Sequence, residues 1–169
     1  SIPCTGYRLR YSDGARNSVI TSGAANQGLF TNTTTIDLSV TPCNNSPTFL
    51  EPPISFICLS AGRLQTYNQG AVDPDGDSLS YQLITCKSGN GANVGYNAGF
   101  SFLQPLGPAW VVTMDPFTGD IPFDPTPGSI EIAVICFEVR EYRNGIQIGS
   151  VTRDMQVQVQ NLNCGQAPE

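Results

Sequence analysis

The chain contains no histidine. That absence removes the commonest general base and the commonest metal-binding nitrogen, so neither a Ser-His-Asp nor a Cys-His arrangement can exist in it. Charge is scarce as well. Charged residues are 13 % of the 169, the net charge is -6, and the only lysine among eight cations is Lys87. The basic footprint that nucleic acid requires is missing, so no nucleic-acid partner is expected. No apolar run approaches the roughly 18 residues of a membrane-crossing helix, so no membrane insertion is expected either. No secretory leader is visible, and a secreted protein would be represented here by a processed portion. Helical periodicity is nearly absent, which also removes a Gly-rich phosphate cradle ahead of a helix.

Turn residues and alternation are abundant instead. Thirteen prolines and 17 glycines punctuate the sequence, and the runs between them alternate apolar and polar with period two. Strands are expected over 6–11, 17–21, 30–40, 55–58, 78–85, 110–114, 130–141, 146–149 and 151–160. The clearest pair runs into Asn144-Gly145, whose backbone suits a type I′ hairpin turn. In the return strand Met155, Val157 and Val159 alternate with Gln156, Gln158 and Gln160, one face buried and one wet. The expected fold is an all-β antiparallel sandwich. A break at Asn44-Asn45-Ser46-Pro47 divides residues 1–43, an N-terminal β segment, from residues 44–169, which hold enough strands for a complete sandwich. The N-terminal piece is too small to fold alone. It either finishes its own sandwich or complements a neighbouring sheet.

Six cysteines lie dispersed at Cys4, Cys43, Cys58, Cys86, Cys136 and Cys164, with no CxxC spacing that would suggest zinc. An even, scattered set fits disulfides and an oxidising compartment. Sequence alone does not fix the connectivity, and buried free thiols are the alternative. The preferred pairing is Cys4–Cys43, Cys58–Cys164 and Cys86–Cys136, the last two joining strands expected to be neighbours.

The densest chemistry is Ala71-Val-Asp73-Pro-Asp75-Gly-Asp77-Ser-Leu79. Three carboxylates on one Pro/Gly turn repel one another unless they are solvated or share a cation. Hard oxygens suit calcium, which takes roughly six to eight of them. A solvated Asp/Gly turn between strands is the bland alternative. Asp115, Asp120, Asp124, Glu138 and Glu141 formally allow a glycosidase-type acid pair, a weak signal among 14 acidic residues. The 87–109 loop, with Tyr96, Phe100, Phe102 and Trp110 in or beside it, is long enough to be functional. Tyr96 and Trp110 are its candidate glycan-stacking residues, with core packing the competing role.

Asn44-Asn45-Ser-Pro-Thr-Phe49, Ala71-x-Asp73-x-Asp75-Gly-Asp77-x-Leu79-x-Tyr81 and Asp115-Pro-Phe-Thr-Gly119-Asp-Ile121 together resemble a cadherin-like repeat. With Arg16-Asn17, Glu141-Tyr142-Arg143-x-Gly145 and Arg153-Asp154 added, the order is similar to modules of large surface proteins secreted by gliding-type Bacteroidota. Those modules often carry a cysteine pair before the Arg-Asn, where this chain has Gly14-Ala15. The resemblance implies an Ig-like or cadherin-like, non-catalytic, extracellular module used in tandem in adhesins or filaments. It implies calcium shared by Asn45, Asp73, Asp75 and Asp77, with Glu141 approaching from a neighbouring loop. Fewer acidic residues in the Asn44-Asn45 linker imply a weaker site. Expected partners are copies of the chain or neighbouring repeats, joined through the edges of 33–40 and 155–160, where neither lysine nor proline guards the strand. Surface glycans are the alternative partner.

Overall fold

The computed structural model describes residues 6–16, 19–23, 28–51, 58–60, 64–124 and 131–160. Among them are ten strands and no helix: β1 (Gly6–Ala15), β2 (Leu29–Asp37), β3 (Thr48–Phe49), β4 (Cys58–Ser60), β5 (Gln65–Tyr67), β6 (Ala71–Val72), β7 (Ser78–Ile84), β8 (Ile121–Phe123), β9 (Glu131–Arg143) and β10 (Ile146–Gln160). The all-β expectation holds.

The β9–β10 hairpin is the spine. Asn144 (φ 52°) and Gly145 (φ 79°) both take left-handed backbone, as a type I′ turn demands. The two expected return strands are one, β10, with a register shift between Gln147 and Gly149. The large sheet runs β1-β2-β10-β9-β7, and β4 joins β10 in parallel near its end. Two small antiparallel pairs, β3–β6 and β5–β8, complete the fold.

Pleating assigns the faces, because successive side chains alternate across a strand. Ala133, Ile135, Phe137 and Val139 of β9, with Met155, Val157 and Val159 of β10, enter one core. Ile121 and Phe123 of β8 belong to the same core, with Phe49, Tyr67 and Ala71 of the small sheets packed against it. Val134 and Cys136 point the other way, into a second cluster with Ile20, Cys86 and Val94. β9 is therefore buried on both faces, which accounts for its nearly continuous apolar run.

β1 and β2, which precede the Asn44-Asn45 break, are part of this sheet. Ile36, Thr35 and Thr34 of β2 pair with Gly149, Ser150 and Val151 of β10, and β1 pairs with β2 along its length. Of the two expected arrangements, the chain finishes its own sheet. The nominated edges are consequently not open as expected. β2 is flanked by β1 and, in part, by β10, while the end of β10 lies between β9 and β4. Two expected strands are absent among the described residues, and most of the expected 55–58 strand lies outside them. Residues 19–21 form a turn region. Residues 110–114 bond within their own loop, Trp110 N to Gly107 O (3.1 Å) and Val112 N to Leu103 O (2.8 Å), in place of a ladder.

Candidate functional site: an acidic turn held by an arginine

The Asp73–Asp77 turn is built by its own first carboxylate. Asp73 Oδ1 accepts the amides of Asp75 (2.9 Å) and Asp77 (3.0 Å), the Asx-turn geometry that lets a side chain replace a backbone partner. Gly76 supplies the positive φ of 82°. The three carboxylates converge, with one oxygen from each lying within 4.8 Å of the others.

Arg143, at the end of β9, meets that negative charge. Its Nε donates to Asp77 Oδ1 (2.7 Å) and its Nη2 to Asp77 Oδ2, a two-pronged pairing. The same Nη2 reaches Asp75 Oδ2 (3.4 Å) and Asn44 Oδ1 (3.1 Å), while Nη1 donates to Thr41 Oγ1 (2.8 Å) and the Cys43 carbonyl (3.2 Å). One guanidinium thus joins β9, the acidic turn and the 41–44 linker. Asp75 completes the joint by accepting both the Asn45 amide (2.7 Å) and the Asn45 Nδ2 (2.9 Å). These donors hold both carboxyls below the usual range, Asp75 mainly through the Asn45 amide and Asp77 mainly through Arg143.

Two acidic groups here are differently placed. Glu141 lies two residues before Arg143 on the core face of β9, at 0 % exposure, and neither of its oxygens has a hydrogen-bond partner. Burial pushes its pKa from 4.5 up to about 7 against the lowering effect of the nearby Asn44 side chain, and the neighbouring Asp73 and Asp77 carboxylates add to the rise. Asp73 Oδ2 is also buried without a partner. Room for Glu141 comes from Gly149 in the β10 bulge, where a Cβ would stand 2.7 Å from Glu141 Oε2 and 3.1 Å from the Thr35 carbonyl oxygen.

The structure therefore divides the expected ligand set. Asn45, Asp75 and Asp77 are engaged by protein donors, and Asp73 and Glu141 retain unpartnered oxygens. Arg143 stands in the sequence only as part of the Glu141-Tyr142-Arg143-x-Gly145 resemblance, with no role of its own. The available signal was electrostatic: in a chain this poor in cations, an arginine beside an Asn-Gly turn is a ready counter-charge for three aspartates.

Other residues carrying the resemblance also meet as structural contacts. Buried Arg16 pairs with Asp154 and donates to the Lys87 carbonyl (2.8 Å). Burial raises the Asp154 pKa against the lowering effect of Arg16. Arg153 lies 3.9 Å over the Phe49 ring. Asp115 Oδ1 accepts the amides of Phe117 and Thr118, both at 2.8 Å, and Gly119 (φ 78°) presses on the Tyr81 ring. Asp115 is thus spent on its turn, and Glu138 and Glu141 project from opposite faces of β9.

Tyr96 and Trp110 do not share a platform. Tyr96 packs on the Val134–Cys136 cluster and Trp110 on the Ile135–Phe137 core, so β9 separates them. Both are half-buried, the core role that competed with stacking. Among the cysteines, Cys86 and Cys136 form a disulfide, with Cα atoms 5.1 Å apart. Cys43 is an exposed free thiol with its carbonyl fastened by Arg143, and its expected partner Cys4 lies outside the described residues. Cys164 lies outside them as well, as does the Cys58 side chain, so the Cys58–Cys164 pair falls there too. No family model matches the chain, and no curated protein matches it.

Proposed function

We propose that this chain is a non-catalytic module of an extracellular structural or adhesive assembly, associating with copies of itself or with neighbouring repeats through the outer edge of β1. The observation carrying the reading is that edge. β1 pairs with β2 on one side, and among the described residues no backbone hydrogen bond reaches the other. Tyr7, Leu9 and Tyr11 form an exposed apolar row along it, at 49, 61 and 59 % exposure, and the strand holds neither lysine nor proline. An open strand of this kind accepts another strand by main-chain pairing. Support for an oxidising location comes from the Cys86–Cys136 disulfide. The cadherin-like resemblance of the Asn44-Asn45, Asp73–Asp77 and Asp115–Gly119 motifs points the same way.

Calcium belongs to this reading in altered form. Asp73 Oδ2 and the two Glu141 oxygens supply its first ligands, and Arg143 keeps Asp75 and Asp77 as bracing. The experiment is sedimentation velocity over a concentration series, with and without calcium. Wild-type protein is expected to form larger species, and Leu9→Lys/Tyr11→Lys to remain monomeric with unchanged circular dichroism. Monomeric wild type at every concentration rejects the reading. The glycan platform of Tyr96 and Trp110 draws no support, since the two rings lie on opposite faces of β9.

A further inference from the structure

We propose that the polar face of the large sheet carries a groove for an acidic polysaccharide, with Arg8, Arg10 and Lys87 supplying the positive charge. The groove is on the opposite face of β1 from Tyr7, Leu9 and Tyr11, because alternate residues of a strand point to opposite sides. It therefore stands independently of the edge association.

Register builds the groove. Arg8 of β1 pairs with Thr35 of β2, which pairs with Ser150 of β10, and Arg10 pairs with Thr33. Thr152 of β10 pairs with Glu138 of β9, and Glu138 with Gln82 of β7. One open groove is lined by these residues apart from Gln82, and the loop following β7 brings Lys87, Gly91 and Asn93 to its wall. Arg10 Nη1 donates to the Asn90 carbonyl (3.3 Å), which ties the far rim to that loop. From β1 to β9 the floor spans about 14 Å, three strand spacings. That extent and openness suit a stretch of linear polymer better than an enclosed small molecule.

Charge bookkeeping singles the groove out. In a chain of net charge -6, Arg16, Arg140 and Arg143 are each paired with carboxylates. Among the described residues Arg8, Arg10 and Lys87 have no carboxylate partner, and all three line this groove. The remaining described cation, Arg153, is on the core side against Phe49. The groove's one carboxylate, Glu138, is already held by Arg140 Nε (2.9 Å) and Gln82 Nε2 (2.8 Å). Guanidinium forks match carboxylate and sulfate groups in pairs. Between the cations lie the hydroxyls of Thr33, Thr35 and Thr152. Thr35 Oγ1 shares a hydrogen bond with Ser150 Oγ (2.8 Å) and Thr152 Oγ1 accepts the Thr33 amide (2.7 Å), and a hydroxyl so engaged keeps capacity for a further bond to a sugar hydroxyl. A run of stacking aromatics, which single-stranded nucleic acid uses, is missing from the lining.

Affinity electrophoresis and calorimetry at low salt, with alginate, heparin, neutral dextran, duplex DNA and inorganic phosphate as probes, test the proposal. Wild type is expected to bind alginate or heparin, to ignore dextran, and to lose affinity as salt rises. Arg8→Gln/Arg10→Gln, at exposed positions that leave the core untouched, is expected to weaken binding about tenfold, and Lys87→Gln to weaken it further. Thermal midpoints of the variants within a few degrees of wild type confirm that folding is intact. Absence of polyanion binding overturns the proposal, as does undiminished binding by the folded double variant. Equal affinity for DNA, or for phosphate alone, overturns the polysaccharide assignment.

Discussion

Glu141 and Arg143, two positions apart on one strand and on the same face, handle the same negative charge in opposite ways. Arg143 neutralises Asp75 and Asp77 where solvent still reaches, whereas Glu141 adds a carboxyl to the buried side without a donor of its own. Raising a folded-state pKa from 4.5 to about 7 means that the native state binds the proton more tightly than the unfolded chain. The resulting stability is complete below pH 4.5 and is lost as pH rises through about 7. Thermal midpoints in chelator are therefore expected to fall across that interval, and Glu141→Gln to flatten the curve. Calcium is expected to restore the wild-type midpoint above pH 7 and to leave Glu141→Gln unmoved. An unchanged pH profile in the variant would show that Glu141 is hydrated. Arg143→Gln should act in the reverse sense. It strands Asp75 and Asp77 without their cation and frees the 41–44 linker, so its midpoint falls in chelator and calcium recovers more of it than in wild type. A midpoint equal to wild type under both conditions would remove Arg143 from the joint.

β9 explains why some elements were legible and others were not. Its apolar run, the Asn144-Gly145 turn and the Met155–Val159 alternation are local signals, and all three lie where they were expected. The short strands β3, β5, β6 and β8 carry two or three residues each. Such segments have no period to read and exist because a partner from far along the chain meets them, as Gln65 meets Phe123. The 110–114 alternation was real but was used for packing: Trp110, Val112 and Met114 enter the core while the backbone closes a loop. Likewise, the three aspartates were visible as a cluster, but their tie to Arg143 depends on a register set 66 residues away. The Cys86–Cys136 link was anticipated from the expected pairing of its strands, and it fastens the end of β7 to the centre of β9. Both cysteines are almost fully buried, at 1 and 5 % exposure. Closing a 50-residue loop restricts the unfolded chain by about 4 kcal/mol at most. Cys86→Ala/Cys136→Ala is expected to lose about 2–4 kcal/mol in urea unfolding. A loss well under 1 kcal/mol would mean that the packing of the second cluster already holds the two strands together.

Whether the N-terminal segment is an accessory or a constituent follows from where its contacts end. Beyond the β2–β10 pairing, Thr21 N donates to the Ile132 carbonyl (2.8 Å), Thr21 Oγ1 to Glu131 Oε2 (2.6 Å), and Asn97 N to the Ser22 carbonyl (3.0 Å). Ile20 fills the cluster that surrounds the disulfide. Arg16 is the cation that compensates Asp154, whose side chain is 10 % exposed. Removing one partner of a buried pair leaves an uncompensated charge and typically costs about 3–5 kcal/mol, a large fraction of a marginal total of roughly 5–15 kcal/mol. Deleting residues 1–43 would remove Arg16, Ile20 and all of β2 at once, exposing the part of β10 around Ser150. The truncated chain is therefore expected to lose the single cooperative urea transition of the full chain and to associate through the bared strand, visible as a lower unfolding midpoint with aggregation in light scattering. Asp154→Asn in the truncated background separates the causes, because it cancels the stranded charge and leaves the bared edge. Recovery of the midpoint would assign the loss to the ion pair; persistent aggregation would assign association to β10. A truncated protein that stays monomeric at the full-length midpoint would show that residues 44–169 hold a complete fold, with the N-terminal hairpin bound to them as a passenger.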